Sequence, residues 1–257
     1  MKAGSMFSIA LIFCASCGSG TGSGSRLVES VEPAVAAGSP GGYWVGVDSA
    51  GDNVVMLASE DGEFYFVAGL LGRAAGILIA SGPDSIRGIV YLPKDQAFPN
   101  QSVAVDCKLD GTLIQRQSMT LDVRCRDVAG QQVFTTLTLN YDPIYERNSS
   151  LEMIAGLYHY DGNDVMNISA DGAIFNQAGD TGCVTSGTVV AKYSGYNAYE
   201  IEVAFDDCAR VDSRLRGRTL QGLGMLDDSV FPEELLIIVS TTVDGSLMTL
   251  MRSVQRL

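Results

Sequence analysis

Tyr199-Glu200-Ile201-Glu202-Val203-Ala204-Phe205-Asp206 sets Tyr199, Ile201, Val203 and Phe205 on one side of an extended chain and Glu200, Glu202 and Asp206 on the other. A period of two with acids on one face is the pattern of a half-buried antiparallel strand. Val133, Leu137, Leu139 and Tyr141 repeat it against Thr136, Thr138 and Asn140, while Asp61-Gly62, Asp171-Gly172 and Asp244-Gly245 supply tight turns. Read this way, the second half holds strands over 156–160, 165–169, 173–177, 183–193, 199–205, 219–226, 235–242 and 246–252, and no long helical stripe follows the N-terminal segment. Gly222 and Gly224 inside a strand suit the sharp coiling of a small barrel. The expected fold is all-β: two tandem antiparallel meander barrels or curled sheets of about eight strands each.

The tandem arrangement rests on an internal repeat. Gly42-Tyr43-Trp44 followed by Val55-Met56 and Asp61-Gly62 recurs as Gly156-Leu157-Tyr158 followed by Val165-Met166 and Asp171-Gly172. Trp44 and Met56 lie 12 residues apart and Tyr158 and Met166 lie 8 apart, so one turn differs by four. Cys107-Lys108-Leu109-Asp110-Gly111 also matches Cys183-Val184-Thr185-Ser186-Gly187. Pro143, Asn148, Ser149 and Ser150 interrupt the alternation between the halves. The expected organisation is residues 1–16 as signal peptide, 17–42 as a lipidated cysteine and flexible linker, 43–142 as first β-domain, 143–151 as connector and 152–257 as second β-domain. Exchange of strands between the halves stays open.

Lys2, the apolar run Met6 to Phe13, and Ala15-Ser16-Cys17 form a short hydrophobic segment ending in small residues and a cysteine. This resembles the lipobox of bacterial lipoproteins, with Cys14 where Leu is usual, and implies diacylation of Cys17. Gly18 to Ser25 (GSGTGSGS) then reads as a flexible tether. Gly18, where inner-membrane lipoproteins carry Asp, points to the outer membrane. Four cysteines remain for an oxidising compartment, and chain order pairs Cys107 with Cys125 and Cys183 with Cys208. They lack C-x-x-C spacing and His159 is the only histidine, so a zinc site is not expected.

The chain carries 17 Lys and Arg against 30 Asp and Glu, a formal charge of −13, which speaks against nucleic acid as a partner. His159 lacks an accompanying nucleophile motif and, by alternation, faces solvent opposite Tyr158. The acidic turns Asp48 to Asn53 and Asp161 to Asp164 match no EF-hand loop and read as turn formers. Met56, Met166, Leu223, Met225 and Phe205 are candidates to fill the barrels, and Tyr193, Tyr196 and Tyr199, grouped around Gly195, are candidate anchors for a partner or cross-strand packing.

Gly42 and Trp44 at the head of a meander resemble the start of the calycin group, lipocalins and their relatives, where that Trp packs on the barrel floor. Gly182-Cys183 with Gly187 resembles the cysteine stretch of META-type envelope domains, with Val184 in place of Asn. Both resemblances imply a small barrel or curled sheet. The functional expectation is a non-enzymatic envelope lipoprotein, without cofactor, that binds an envelope protein structurally or as an inhibitor. The alternative is a carrier of a small apolar ligand.

Overall fold

The computed structural model describes residues 38–68, 72–82, 84–91, 104–127, 130–161, 164–177, 184–206, 213–244 and 246–257. The signal segment, Cys17 and its tether, and Cys183 and Cys208, lie outside the described residues. The first half runs through β1 (Gly42–Asp48), β2 (Asn53–Ala58), β3 (Glu63–Ala68), β4 (Gly72–Ala80), β5 (Ser85–Tyr91), β6 (Ala104–Ile114), β7 (Ser118–Asp127) and β8 (Gln132–Asp142). Each strand pairs antiparallel with the next, and β1 returns to β8, closing a barrel. The second half repeats this with β9 (Gly156–Asp161), β10 (Asp164–Ile168), β11 (Ala173–Gln177), β12 (Val184–Ala191), β13 (Tyr199–Asp206), β14 (Thr219–Asp227), β15 (Glu234–Val243) and β16 (Ser246–Arg256). Its closure is shorter: β16 meets β9 at Gln255↔His159 and Arg256↔Tyr158. Among the described strands each barrel closes on its own members, so the halves do not exchange strands.

The repeat is visible in the register. Trp44 faces Met56 and Tyr158 faces Met166, the first pair lying four residues further apart along the chain because its two strands run one residue longer each and its turn two longer. Trp44 Nε1 donates to the Pro40 carbonyl (2.9 Å), and Tyr158 Oη donates to the Ile154 carbonyl (2.8 Å), each four residues back. The following turns are also alike. Gly62 N donates to the Ser59 carbonyl and Gly172 N to the Ser169 carbonyl, both at 2.9 Å, while the Ser59 and Ser169 hydroxyls bond Asp61 and Asp171. Gly62 and Gly172 hold φ of +91° and +86°, the left-handed region that favours glycine.

One matched block is reassigned. Phe64 pairs with Gly76 and Ile174 pairs with Gly187, so the structural counterpart of Gly187 is Gly76 on β4, not Gly111 on β6. The register decides this, because the space is equally tight at all three: a Cβ would come 2.0 Å from the Ile89 carbonyl oxygen at Gly76, from that of Glu202 at Gly187 and from that of Thr120 at Gly111. The resemblance between the two cysteine blocks therefore reflects a common need for a residue without a side chain beside a neighbouring strand's carbonyl: Cys107 and Gly111 lie on β6, whereas Gly187 lies on β12, the counterpart of β4.

Cys107 and Cys125 oppose each other on β6 and β7 and are joined by a disulfide, with Cα atoms 4.1 Å apart. Both side chains point into the first barrel, within a core that includes Trp44, Met56, Phe64, Phe66, Leu121 and Leu137. The second core holds Tyr158, Met166, Tyr199, Ile201, Phe205, Leu220 and Val254. Leu223 and Met225, expected inside, instead face outward into a third apolar cluster between the barrels. The connector is correspondingly structured. Asp142 accepts from Ile144 N (2.9 Å) at a 3-10 turn over Pro143–Glu146, and Ser150 caps the short helix α1 (Leu151–Ile154) through Met153 N (3.2 Å).

Candidate functional site

The outward side chains of the first barrel form rows across its strands. Tyr43, Leu57, Tyr65, Ala75 and Tyr91 make one row over β1 to β5. Leu57, Tyr65 and Ala75 are buried beneath the second barrel together with Ile144 and Tyr145 of the connector. Opposite them stand Tyr196, Ala198, Leu223, Met225, Leu236 and Ile238. This explains the apolar runs that alternation alone leaves unexplained: β14 and β15 are buried on both faces because one face lines a barrel and the other meets its neighbour.

Polar contacts fix the same junction. Asn197, only 2% exposed, receives Leu226 N on Oδ1 (3.0 Å) and donates Nδ2 to the Leu226 carbonyl (2.6 Å) and the Ile144 carbonyl (3.2 Å). Arg116, at the β6–β7 turn, pairs with Glu60 (2.7 Å) and lies over the rings of Tyr196 (4.6 Å), Tyr145 (5.3 Å) and Tyr141 (5.3 Å). Lys192 reaches from the second barrel to Glu63 (3.2 Å) and Asp61 (3.4 Å) of the first. Burial opposes charge at Lys192, but Glu63 and Asp61 outweigh it and hold the ammonium pKa above its ordinary value. At Asp61 burial again opposes charge, and the Ser59 hydroxyl and Lys192 together pull the carboxyl below the usual range. The phenol of Tyr65 is pushed up by burial and by Glu63, whose carboxylate lies 2.9 Å from its hydroxyl.

Beyond this junction the face opens. A cleft of about 440 Å³ is lined by Asp61, Glu63, Tyr65, Ile77, Tyr91 and Leu247, with Ala75, Gly76 and Ser240 completing its walls. Next to it, β4 and β5 present Ile77 (49% exposed), Ile79 (54%), Ile89 (54%) and Tyr91 (52%) to solvent. Ile77 and Ile89 are direct cross-strand partners, and Tyr91 pairs with Ala75 in the adjacent row, so these side chains form one contiguous apolar surface. Large apolar side chains gathered in this way, with carboxylates at the border, suit a macromolecular contact.

The residues singled out from sequence fall elsewhere. Tyr199 is fully buried in the second core and Tyr196 is buried at the barrel junction, stacked on Tyr145 with ring centroids 5.4 Å apart. Tyr193 is half-buried beside them, its phenol pushed up to about 12 by burial and by Asp61. Of the two readings of the trio, burial supports packing for Tyr196 and Tyr199, because the loop between β12 and β13 folds onto the connector, while Tyr193 keeps part of its surface. His159 is exposed on β9, in register with Val165 and Gln255. Asp48 accepts Ala50 N (2.9 Å) and Asp52 N (3.0 Å), so its turn is closed by its own carboxylate. Among the described residues no three His, Cys, Asp or Glu side chains gather as metal ligands.

Sequence reasoning passed over the β4–β5 face. Its signal was Ala75, Ile77 and Ile79 on one alternate set of β4 and Ala74, Gly76 and Leu78 on the other, a strand apolar on both sides. No family model matches the chain, and no curated protein matches it.

Proposed function

We propose that this chain is a lipid-anchored envelope protein that works by binding another protein through the outer face of β4 and β5. The observation that carries the proposal is the half-exposed quartet of Ile77, Ile79, Ile89 and Tyr91 on neighbouring strands. The close packing of apolar side chains into each barrel supports a scaffold whose working surface is outside. The Ala15-Ser16-Cys17 segment and the Gly-Ser tract support acylation at Cys17, a tether and an outer-membrane address. A second disulfide, Cys183 with Cys208, is supported by the direct pairing of Val184 with Asp206, which brings together the strand ends next to both cysteines.

The cleft favours one alternative: a small apolar molecule held outside the barrels between Tyr65, Tyr91, Ile77 and Leu247. Photo-crosslinking in cells separates the two. A benzophenone side chain replacing Ile89 gives a discrete protein adduct that disappears with Ile77→Asp and is absent when the probe replaces exposed Thr138 on β8. Equal adducts at both positions, or an adduct with lipid alone, would remove the protein-binding proposal. Loss of acyl labelling and membrane fractionation in Cys17→Ser tests the anchor.

A further inference from the structure

Resting on the proposal that the β4–β5 face binds protein, we infer that its occupant is a second copy of this chain, related by a two-fold axis. The inference comes from the row of outward side chains next to the one under the second barrel. Register places Glu63 on β3 opposite Ile77 on β4, Ile77 opposite Ile89 on β5, and Ile89 opposite Lys108 on β6. The row therefore reads acid, isoleucine, isoleucine, base across four adjacent strands.

Such a row is complementary to its own reverse. A two-fold axis lying in the interface, parallel to the strands and between β4 and β5, turns the row end for end and lays it on itself. Ile77 of one copy then meets Ile89 of the other, and Glu63 meets Lys108 at both ends. In the next row Ala75 is already covered by the second barrel, so Tyr91 borders the two-fold contact and does not seat on the other copy's Ala75. On the opposite side Ile79, the register partner of Arg87, comes under the aliphatic stem of Arg87 of the second copy.

The cleft gives the charged ends a seat. Lys108 is exposed on β6, and the cleft that would receive it from the second copy contains both Asp61 and Glu63. Lys192 already neutralises part of that pair, and a second ammonium balances the remainder. An unrelated cationic partner could use the carboxylates, but it would have no reason to match an acid and a base placed symmetrically about two isoleucines. A net charge of −13 per chain opposes association at long range, so the matched row has to supply the specificity at contact.

Sedimentation velocity and equilibrium on the full chain carrying Cys17→Ser, which removes lipid from the comparison, test this directly. The expected weight-average mass rises from 27.2 kDa toward twice that value. Loading concentrations of about 5 to 200 µM cover the weak end of specific protein association. Lys108→Glu and Ile89→Asp each weaken association by about tenfold or more. Glu63→Lys does the same, and mixing the Lys108→Glu and Glu63→Lys chains restores association, because the heterodimer regains both opposite-charge contacts. Since Glu63 also holds Lys192, circular dichroism checks that variant; if it is unfolded, Lys108→Glu and Ile89→Asp decide alone.

A chain that remains monomeric to the top of the range overturns the inference, as does association indifferent to Lys108→Glu and Ile89→Asp. Failure of well-folded variants to recover on mixing overturns it too. The in-cell crosslink keeps the two proposals apart. A monomeric chain with a discrete adduct at Ile89 to a different protein leaves the binding surface standing and rejects the second copy, whereas a monomer with no adduct rejects both.

Discussion

Truncating the barrel junction from both sides should uncouple two barrels that otherwise unfold together. Leu57 and Leu223 are both fully buried, lie in the same apolar cluster from opposite barrels, and belong to neither barrel's interior. Each Leu→Ala change at such a site costs about 2–5 kcal/mol when the cavity stays open. The sites share a cluster, so their effects are not additive, and a combined loss of about 3–6 kcal/mol from the coupling is expected. That is comparable to the whole stability of a small domain, about 5–15 kcal/mol. The intact junction should therefore make unfolding a single event.

Trp44 makes the measurement selective. It is the only tryptophan and lies in the first barrel's core, whereas far-ultraviolet circular dichroism reports strands in both barrels. In urea the two signals should coincide for the unmodified chain and separate in Leu57→Ala/Leu223→Ala. Separate transitions before any substitution would refute the reasoning. Coincident transitions in the double variant, with a midpoint change worth less than about 1 kcal/mol, would refute it as well. A fragment of residues 152–257 tests the same physics from the other side: it keeps all eight strands of its barrel but exposes Leu223, Met225, Leu236 and Ile238, so it should close and self-associate.

Gly76→Ala and Gly187→Ala should each destabilise their barrel by about 1–3 kcal/mol, because a Cβ would stand 2.0 Å from a carbonyl oxygen in either case. Gly217→Ala, with φ +66° but open space around the site, should cost about 1 kcal/mol in thermal denaturation. Arg256→Ala should cost about 2–4 kcal/mol and raise amide exchange along β9, since Arg256 bonds Tyr158 Oη (2.9 Å), pairs with Glu233 (2.6 Å) and occupies one of two registered positions in the β9–β16 seam. For pH, Asp61 titrates below 3.8 when folded, so its contribution is present above that value and is lost as pH falls through the folded pKa. Lys192 is raised above 10.5, so its part is complete below that pH and lost above the folded value. Urea midpoints from pH 7 to 3 should fall less steeply below pH 4 in Asp61→Asn than in the unmodified chain.

Local chemistry made the strands readable. Alternation in Tyr199 to Phe205 and the Asp-Gly turns at Gly62 and Gly172 each depend on residues close in sequence, and all eight strands of the second barrel fall within a few residues of their expected ends. The repeat carried the register as well, down to Trp44 opposite Met56 and Tyr158 opposite Met166. Its cysteine blocks misled because they matched by residue type: Gly187 answers to Gly76, which has no cysteine four residues before it. A close approach of two strands selects glycine whichever strand it is on.

The junction and the site were hidden for a different reason. Alternation tells which residues share a face but not what covers the second one, and a strand apolar on both faces has two physical explanations. In β14 the second face is covered by the first barrel, which turns Leu223 and Met225 outward from the lumen and into a shared cluster. In β4 the same double-sided pattern divides along the strand: Ala75 goes beneath the second barrel, while Ile77 and Ile79 continue past its edge and remain half in water. A junction that covered all of β4 would have made this strand ordinary core. Because it stops short, the exposed isoleucines are surplus to the packing of either barrel, and the proposal of a bound partner rests on that surplus.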